Sequence, residues 1–270
     1  FNPNVYVDAL SMVVSKNESS KAKLHLNLNF FKNHFWRYHG NIDLIKKAYI
    51  QQDEIYQHFD YNLSQFFEIL RLDETFLIDY LNYLTKDGHN PHSTEFSHFG
   101  KIWDLPNADA LVNMSFNYFE ADGFYWIKEE FNNAYFKGLT ENQQIKANQF
   151  LNKFIEENCF ETQKMEVIFN IIRQSQKAMF TSYLKKFLIL NSNIETFKQL
   201  SLLDSFFSGS YGTIWADVRA NELSAILRAV ESLPQQLKYI KHKAYLQSEI
   251  DSEKRSAAWE RKRLFIENRL

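Results

Sequence analysis

Three imidazoles and a carboxylate fall within ten residues in the stretch His89-Asn90-Pro91-His92-Ser93-Thr94-Glu95-Phe96-Ser97-His98. Imidazole and carboxylate suit zinc or a comparable transition metal, and three such ligands would leave a coordination position open for an activated water. His89, His92, His98 and Glu95 are therefore the candidate metal ligands, and a metal-dependent hydrolase is the activity they would serve. The stretch has no cysteine and no helical His-Glu-x-x-His frame, so a solvated, histidine-rich turn accounts for it without a metal. We read it as that turn and assign no metal.

Other chemistry-bearing residues are less organised. Asp53-Glu54, Asp73-Glu74 and Glu129-Glu130 are carboxylate pairs, but neighbours on a helix diverge by about 100° and cannot share a proton. Ser208, Ser210 and Thr213 lack a patterned histidine or aspartate, and Gly209 and Gly212 lack the Gly-Lys-Ser/Thr ending of a phosphate loop. Arg37, His34 and His39 interleave with Phe35, Trp36 and Tyr38, a mix able to stack on bases, although the wet and dry faces of one amphipathic helix give the same mix. The sequence assigns no catalytic residue and no cofactor.

Charge is more telling. The whole chain is nearly balanced, at −2, too weak a field to attract nucleic acid or anionic lipid. Residues 234–270 nevertheless hold 9 basic and 5 acidic side chains, a local +4 that leaves the remainder at −6. Lys254, Arg255, Arg261, Lys262 and Arg263 concentrate that excess and are the residues a nucleic-acid partner would contact.

The elements that must position these residues are helices. With 7 Gly and 4 Pro in 270 residues, against about 19 and 13 at average usage, strand-linking turns are scarce. Apolar residues recur at three- and four-residue intervals, which predicts helices over 24–39, 42–58, 63–70, 74–83, 108–120, 122–136, 140–158, 161–173, 175–190, 194–207 and 214–233, then a last helix from about 235 past 265. Thr140 and Gln143 have the form of a capping box. Asp87-Gly88, Asn90-Pro91 and Leu105-Pro106 punctuate a long polar connection. The expected organisation is an all-α, solenoid-like array of antiparallel helical hairpins. It comprises an N-terminal helical subdomain (1–86), a long loop (87–107), a helical-hairpin array (108–207), a Gly/Ser connector (208–213) and a C-terminal helical pair with a basic tail (214–270).

Cys159 is the only cysteine, which excludes an internal disulfide and fits a reducing, cytoplasmic setting. No apolar run approaches about 18 residues, so no membrane span is expected. The opening at Phe1 rather than Met reads as a piece of something longer.

Trp215-Ala216-Asp217, Ser232-Leu233-Pro234, His242-Lys243-Ala244-Tyr245-Leu246 and Trp259-Glu260-Arg261-Lys262-Arg263-Leu264-Phe265 together resemble the C-terminal tail of large bacterial STAND-type (NLR-like) ATPases of antiphage defence. The resemblance covers only this end of the chain. It implies a helical sensor or scaffold segment that binds a protein, with no ATPase and no effector present to carry catalysis. Read with the helical pattern, it gives a non-enzymatic interaction module whose expected contact residues are Trp103, Tyr118, Tyr125 and Trp126 near the long loop. The alternatives are a nucleic-acid-binding domain using the basic last helix, or the metal-dependent hydrolase of the histidine-rich turn.

Overall fold

In the computed structural model, residues 5, 8, 42–55, 60–86, 98–121, 131–200, 202–203 and 214–267 are described. Every regular element among them is a helix, and none of the described residues forms a strand. The expected helix at 24–39, the turn at 87–97, residues 122–130 and the connector at 208–213 lie outside the described residues. The chain divides into two compact units, Phe1–Lys146 and Ala147–Leu270. The boundary thus falls inside a helix instead of in the long polar connection.

In the first unit, α1 (Ile42–Ile55), α2 (Ser64–Leu72) and α3 (Phe76–Leu84) pack around aromatic rings. Tyr49 meets Phe76 edge-on at 5.4 Å, Phe66 lies 4.9 Å from Tyr80 and 5.4 Å from Phe99, and Phe99 reaches Phe131 at 4.6 Å. Tilted and edge-on pairs of this kind each add about 0.5–1.5 kcal/mol beyond simple burial, which is why so aromatic a sequence closes a core with few turns.

Local signals set the helix ends. Leu63, in a left-handed conformation (φ 53°), sits at the N-cap position of α2 without a capping side chain. Asp60 supplies the cap from four residues upstream of Ser64: its Oδ2 accepts from the amides of Gln65 (2.8 Å) and Phe66 (2.9 Å) and from the Tyr49 hydroxyl (3.2 Å). Lys46 ties α1 to the α2–α3 corner, reaching Asp73 at 2.9 Å, Thr75 at 2.9 Å and Asp79 at 2.6 Å.

The predicted loop at 87–107 is corrected in its second half. Residues Phe99–Asp104 form a 3-10 helix, and Phe99, Ile102 and Trp103 are fully buried. Gly100 suits the close approach there: a Cβ at that position would come within 2.6 Å of Leu139 Cδ2, which would have to move aside, and 3.2 Å of the Lys137 carbonyl. Next come α4 (Ala108–Ala121) and α5 (Glu141–Asn158). The capping box at the start of α5 forms as expected: the Thr140 amide donates to Gln143 Oε1 (3.0 Å) and the Gln143 amide donates to Thr140 Oγ1 (3.4 Å).

The second unit holds α6 (Thr162–Ser175), α7 (Phe180–Leu190), α8 (Ile194–Gln199), α9 (Trp215–Glu231) and α10 (Ile240–Glu267). Phe169 on α6 packs edge-on against Phe180 and Phe187 of α7. The α8 helix stops at Gln199 rather than running to 207 as the periodicity suggested, because Leu200 takes an extended conformation and turns inward with Leu202. Asn193 caps α8, its side chain accepting from the amides of Glu195 and Thr196.

Candidate interaction site

The seam between α9 and α10 determines which side chains of the last helix remain available to a partner. Ala216, Ala220, Leu223, Ile226 and Val230 of α9 are buried, as are Leu246, Ile250 and Ala257 of α10. Intervals of three and four residues keep each set on one face. Alanine at 216, 220 and 257 leaves room for the backbones to approach. The two helices run antiparallel, since Asp217 and Arg219 near the start of α9 pair with Arg261 and Glu253 near the end of α10, the Arg219–Glu253 distance being 2.8 Å. Glu253, held by Arg219, and Glu260 also act on that guanidinium: its pKa is raised chiefly by the pairing with Glu253, against desolvation, with Glu260 adding to the effect.

This pairing sorts the charges of α10. Glu253 is held toward α9 by Arg219, Glu260 acts on that guanidinium only through space, and Arg261 is taken up by Asp217. Lys254, Arg255, Lys262 and Arg263 stay exposed. At about 100° per residue, Arg255, Trp259 and Lys262 fall within about 60° of one another and about 180° from Leu246, Ile250 and Ala257. Trp259 is 62% exposed and Phe265 57% exposed. The Arg263 guanidinium carbon stands 5.5 Å from the centre of the Trp259 ring, a cation–π contact one turn along the helix. The Trp259 indole is thus held in water with Arg255, Lys262 and Arg263 on its side of the helix.

The other end of α10 is fixed by packing. The Tyr239 hydroxyl donates to the Leu188 carbonyl (3.2 Å), and Lys238 Nζ donates to the Ile189 carbonyl (3.3 Å). His242 is 1% exposed and sits edge-on to Phe197 of α8 at 4.9 Å. Burial, with a further contribution from Lys238, pushes the imidazole pKa below its ordinary value. The neutral ring is the form that fits.

Of the contact residues expected from sequence, Trp103 is corrected. Its ring is fully buried and its Nε1 donates to the Tyr135 carbonyl at 2.6 Å. It is a core residue because the 3-10 turn aims it inward. Tyr118 is partly buried, and its hydroxyl donates to Asn82 Oδ1 (2.9 Å) and lies 2.8 Å from Thr85 Oγ1, tying α4 to α3. Tyr125 and Trp126 lie outside the described residues. The four rings are therefore not brought together by what is described.

His89, His92 and Glu95 also lie outside the described residues, while His98 packs edge-on to Tyr61 at 5.2 Å. Among the described residues no three His, Cys, Asp or Glu side chains converge as a metal site would require, and no helix is long and apolar enough to cross a membrane. Lys46 lines an open groove with Asp43 and Asp79, yet its three donors are already spent on Asp73, Thr75 and Asp79. It has none left for a ligand.

Trp259 and Phe265 enter the sequence reading only within the stretch that resembles the ATPase tail, with no contact role of their own. A helical projection holds the signal, because Trp259 shares its face with Arg255 and Lys262 while Leu246, Ile250 and Ala257 share the opposite one.

No protein-family model matches the chain, and neither does any curated protein or solved structure.

Proposed function

We propose that the chain is a non-enzymatic helical interaction module that binds a protein through the outward face of α10. One observation carries the reading: Trp259 stands 62% exposed on the face turned away from the α9 seam, with Arg263 over its ring. A tryptophan on that face contributes nothing to the seam, and burying it against a partner would remove a large apolar area from water. Tryptophan and arginine are also the residue types that most often dominate binding energy at protein interfaces.

The resemblance of residues 215–265 to the tail of STAND-type ATPases extends the proposal: the module serves as the sensor segment of a bacterial antiphage-defence ATPase, and its partner is the foreign protein being sensed. The buried thiol of Cys159 suits the reducing cytoplasm in which such a sensor works.

The test is site-directed photo-crosslinking in cell extract, with p-benzoylphenylalanine placed at Trp259 and, as a control, at exposed Glu166 on α6. The proposal expects a crosslinked protein from position 259 that is absent from position 166. Identical patterns from the two positions would refute it. Nucleic-acid binding through Lys254, Arg255, Lys262 and Arg263 is the competing outcome, read as crosslinks to labelled DNA or RNA that weaken steeply with salt.

A further inference from the structure

The α9–α10 ion pairs hold Glu253 and Arg261 against α9 and leave Arg255, Lys262 and Arg263 exposed around Trp259, with Asp251, one turn before Arg255, the exposed carboxylate on that side. We infer from that segregation that the occupant of the Trp259 face is an acidic amphipathic helix. The inference rests on the protein-binding reading above and adds the chemistry of the partner.

Arg255 and Lys262 are seven residues apart, two helical turns on the same side, or roughly 10 Å along the axis. Trp259 lies between them and Arg263 one turn beyond it. A second helix laid along this face would meet a central apolar knob flanked by cations at a two-turn repeat. The complement is a helix with carboxylates two turns apart and an apolar residue between them. Charges flanking a helical seam set partner choice and orientation in just this way. Glu253, a carboxylate that would repel such a helix, is held by Arg219 on the opposite side, while Asp251, exposed one turn before Arg255, accepts from Gln247 and marks the end of the cationic stretch.

A nucleic-acid strand fits less well. The cationic face is about two turns long, enough for only a few phosphates, and the chain as a whole carries a net charge of −2. A base could stack on Trp259, so the short run of cations, not the ring, is what disfavours a strand.

The experiment uses the full chain and four probes: a 20-residue helical peptide with Glu and Leu on one face, the same peptide with Lys for Glu, a single-stranded DNA 20-mer and phosphatidylserine vesicles. Binding is followed by fluorescence anisotropy for the first three and by co-sedimentation for the vesicles. The acidic peptide is expected to bind, to weaken roughly tenfold between about 50 and 200 mM salt, and to lose binding to the triple variant Arg255→Glu/Lys262→Glu/Arg263→Glu. That variant, checked for an unchanged melting temperature, is expected to gain binding to the basic peptide. The inference is overturned if the acidic peptide binds wild type and triple variant alike, or if DNA or vesicles bind and the acidic peptide does not. A partner crosslinked at position 259 that ignores the charge reversal would overturn the acidic occupant while leaving the protein-binding proposal standing.

Discussion

The Arg263 guanidinium carbon lies 5.5 Å from the ring centre of Trp259, on a helix whose other side is already occupied by α9. Both side chains are exposed, so the contact orders the indole without burying it. That distinction separates residues kept for the fold from residues available to a partner, and it yields measurable differences.

Truncating Trp259 should leave the fold intact. Exposed substitutions away from caps and cores change stability by no more than about 0.5 kcal/mol, to which the lost cation–π contact adds roughly 0.5–1 kcal/mol at an exposed site. The Trp259→Ala chain should therefore unfold within about 1.5 kcal/mol of wild type in urea. A larger loss would mean that the ring is part of the core.

Ala257 should behave in the opposite way. It is fully buried in the seam, where added methylenes force the helices apart at a cost of about 1–3 kcal/mol. Ala257→Leu should lower the urea midpoint clearly, and a neutral result would contradict the close approach of α9 and α10.

Asp60 should be worth more than an ordinary cap. Its carboxylate accepts from the Gln65 and Phe66 amides and from Tyr49, and it is 7% exposed. Removing an acceptor that leaves buried donors unsatisfied costs about 1–3 kcal/mol. Asp60→Ala should show that loss in urea unfolding, and Asp60→Asn should recover part of it because the amide oxygen still accepts.

Acid should act on the first unit through Asp73. Burial works to raise its carboxyl, but Lys46 and Thr75 outweigh it and hold the pKa below the ordinary carboxylate value. A depressed folded value means stabilisation that is present above the unfolded value of about 3.9 and is lost as pH falls through the folded one. Lys46→Met should remove this contribution, destabilising the chain at neutral pH and flattening the fall in stability below about pH 4. The check is urea unfolding as a function of pH.

His242 should add an acid sensitivity at higher pH. Burial first, and Lys238 second, lower its pKa from the ordinary value, so below about 6.5 the unfolded chain takes up a proton that the folded chain resists. Stability should fall as pH drops beneath that value, and the slope should be smaller in His242→Phe, which keeps a ring against Phe197. An unchanged slope would mean that the imidazole is not buried as a neutral group.

What the sequence disclosed follows from how local each signal is. Thr140 and Gln143 are three residues apart, so their reciprocal capping was legible before any packing was known. Helix type was legible for the same reason, because Phe66, Phe67 and Leu70 need only a helical period to share a face. Trp103 was not legible: its indole is satisfied by the carbonyl of Tyr135, 32 residues away, and the turn dipeptides around it read as solvent-exposed loop. Asp60 was missed because its capping role depends on Leu63 adopting a left-handed conformation, a choice no pattern announces. Trp259 was half-legible. Its exposure depends on which face α9 covers, and periodicity alone does not say which.

The account turns on whether the outward face of α10 is where binding happens. The decisive measurement is the dissociation constant of the protein crosslinked at position 259 for the wild-type chain and for Trp259→Ala, at matched stability. The account predicts that the constant rises at least about tenfold, as loss of a central aromatic anchor does. An unchanged constant would show that the partner reads some other surface.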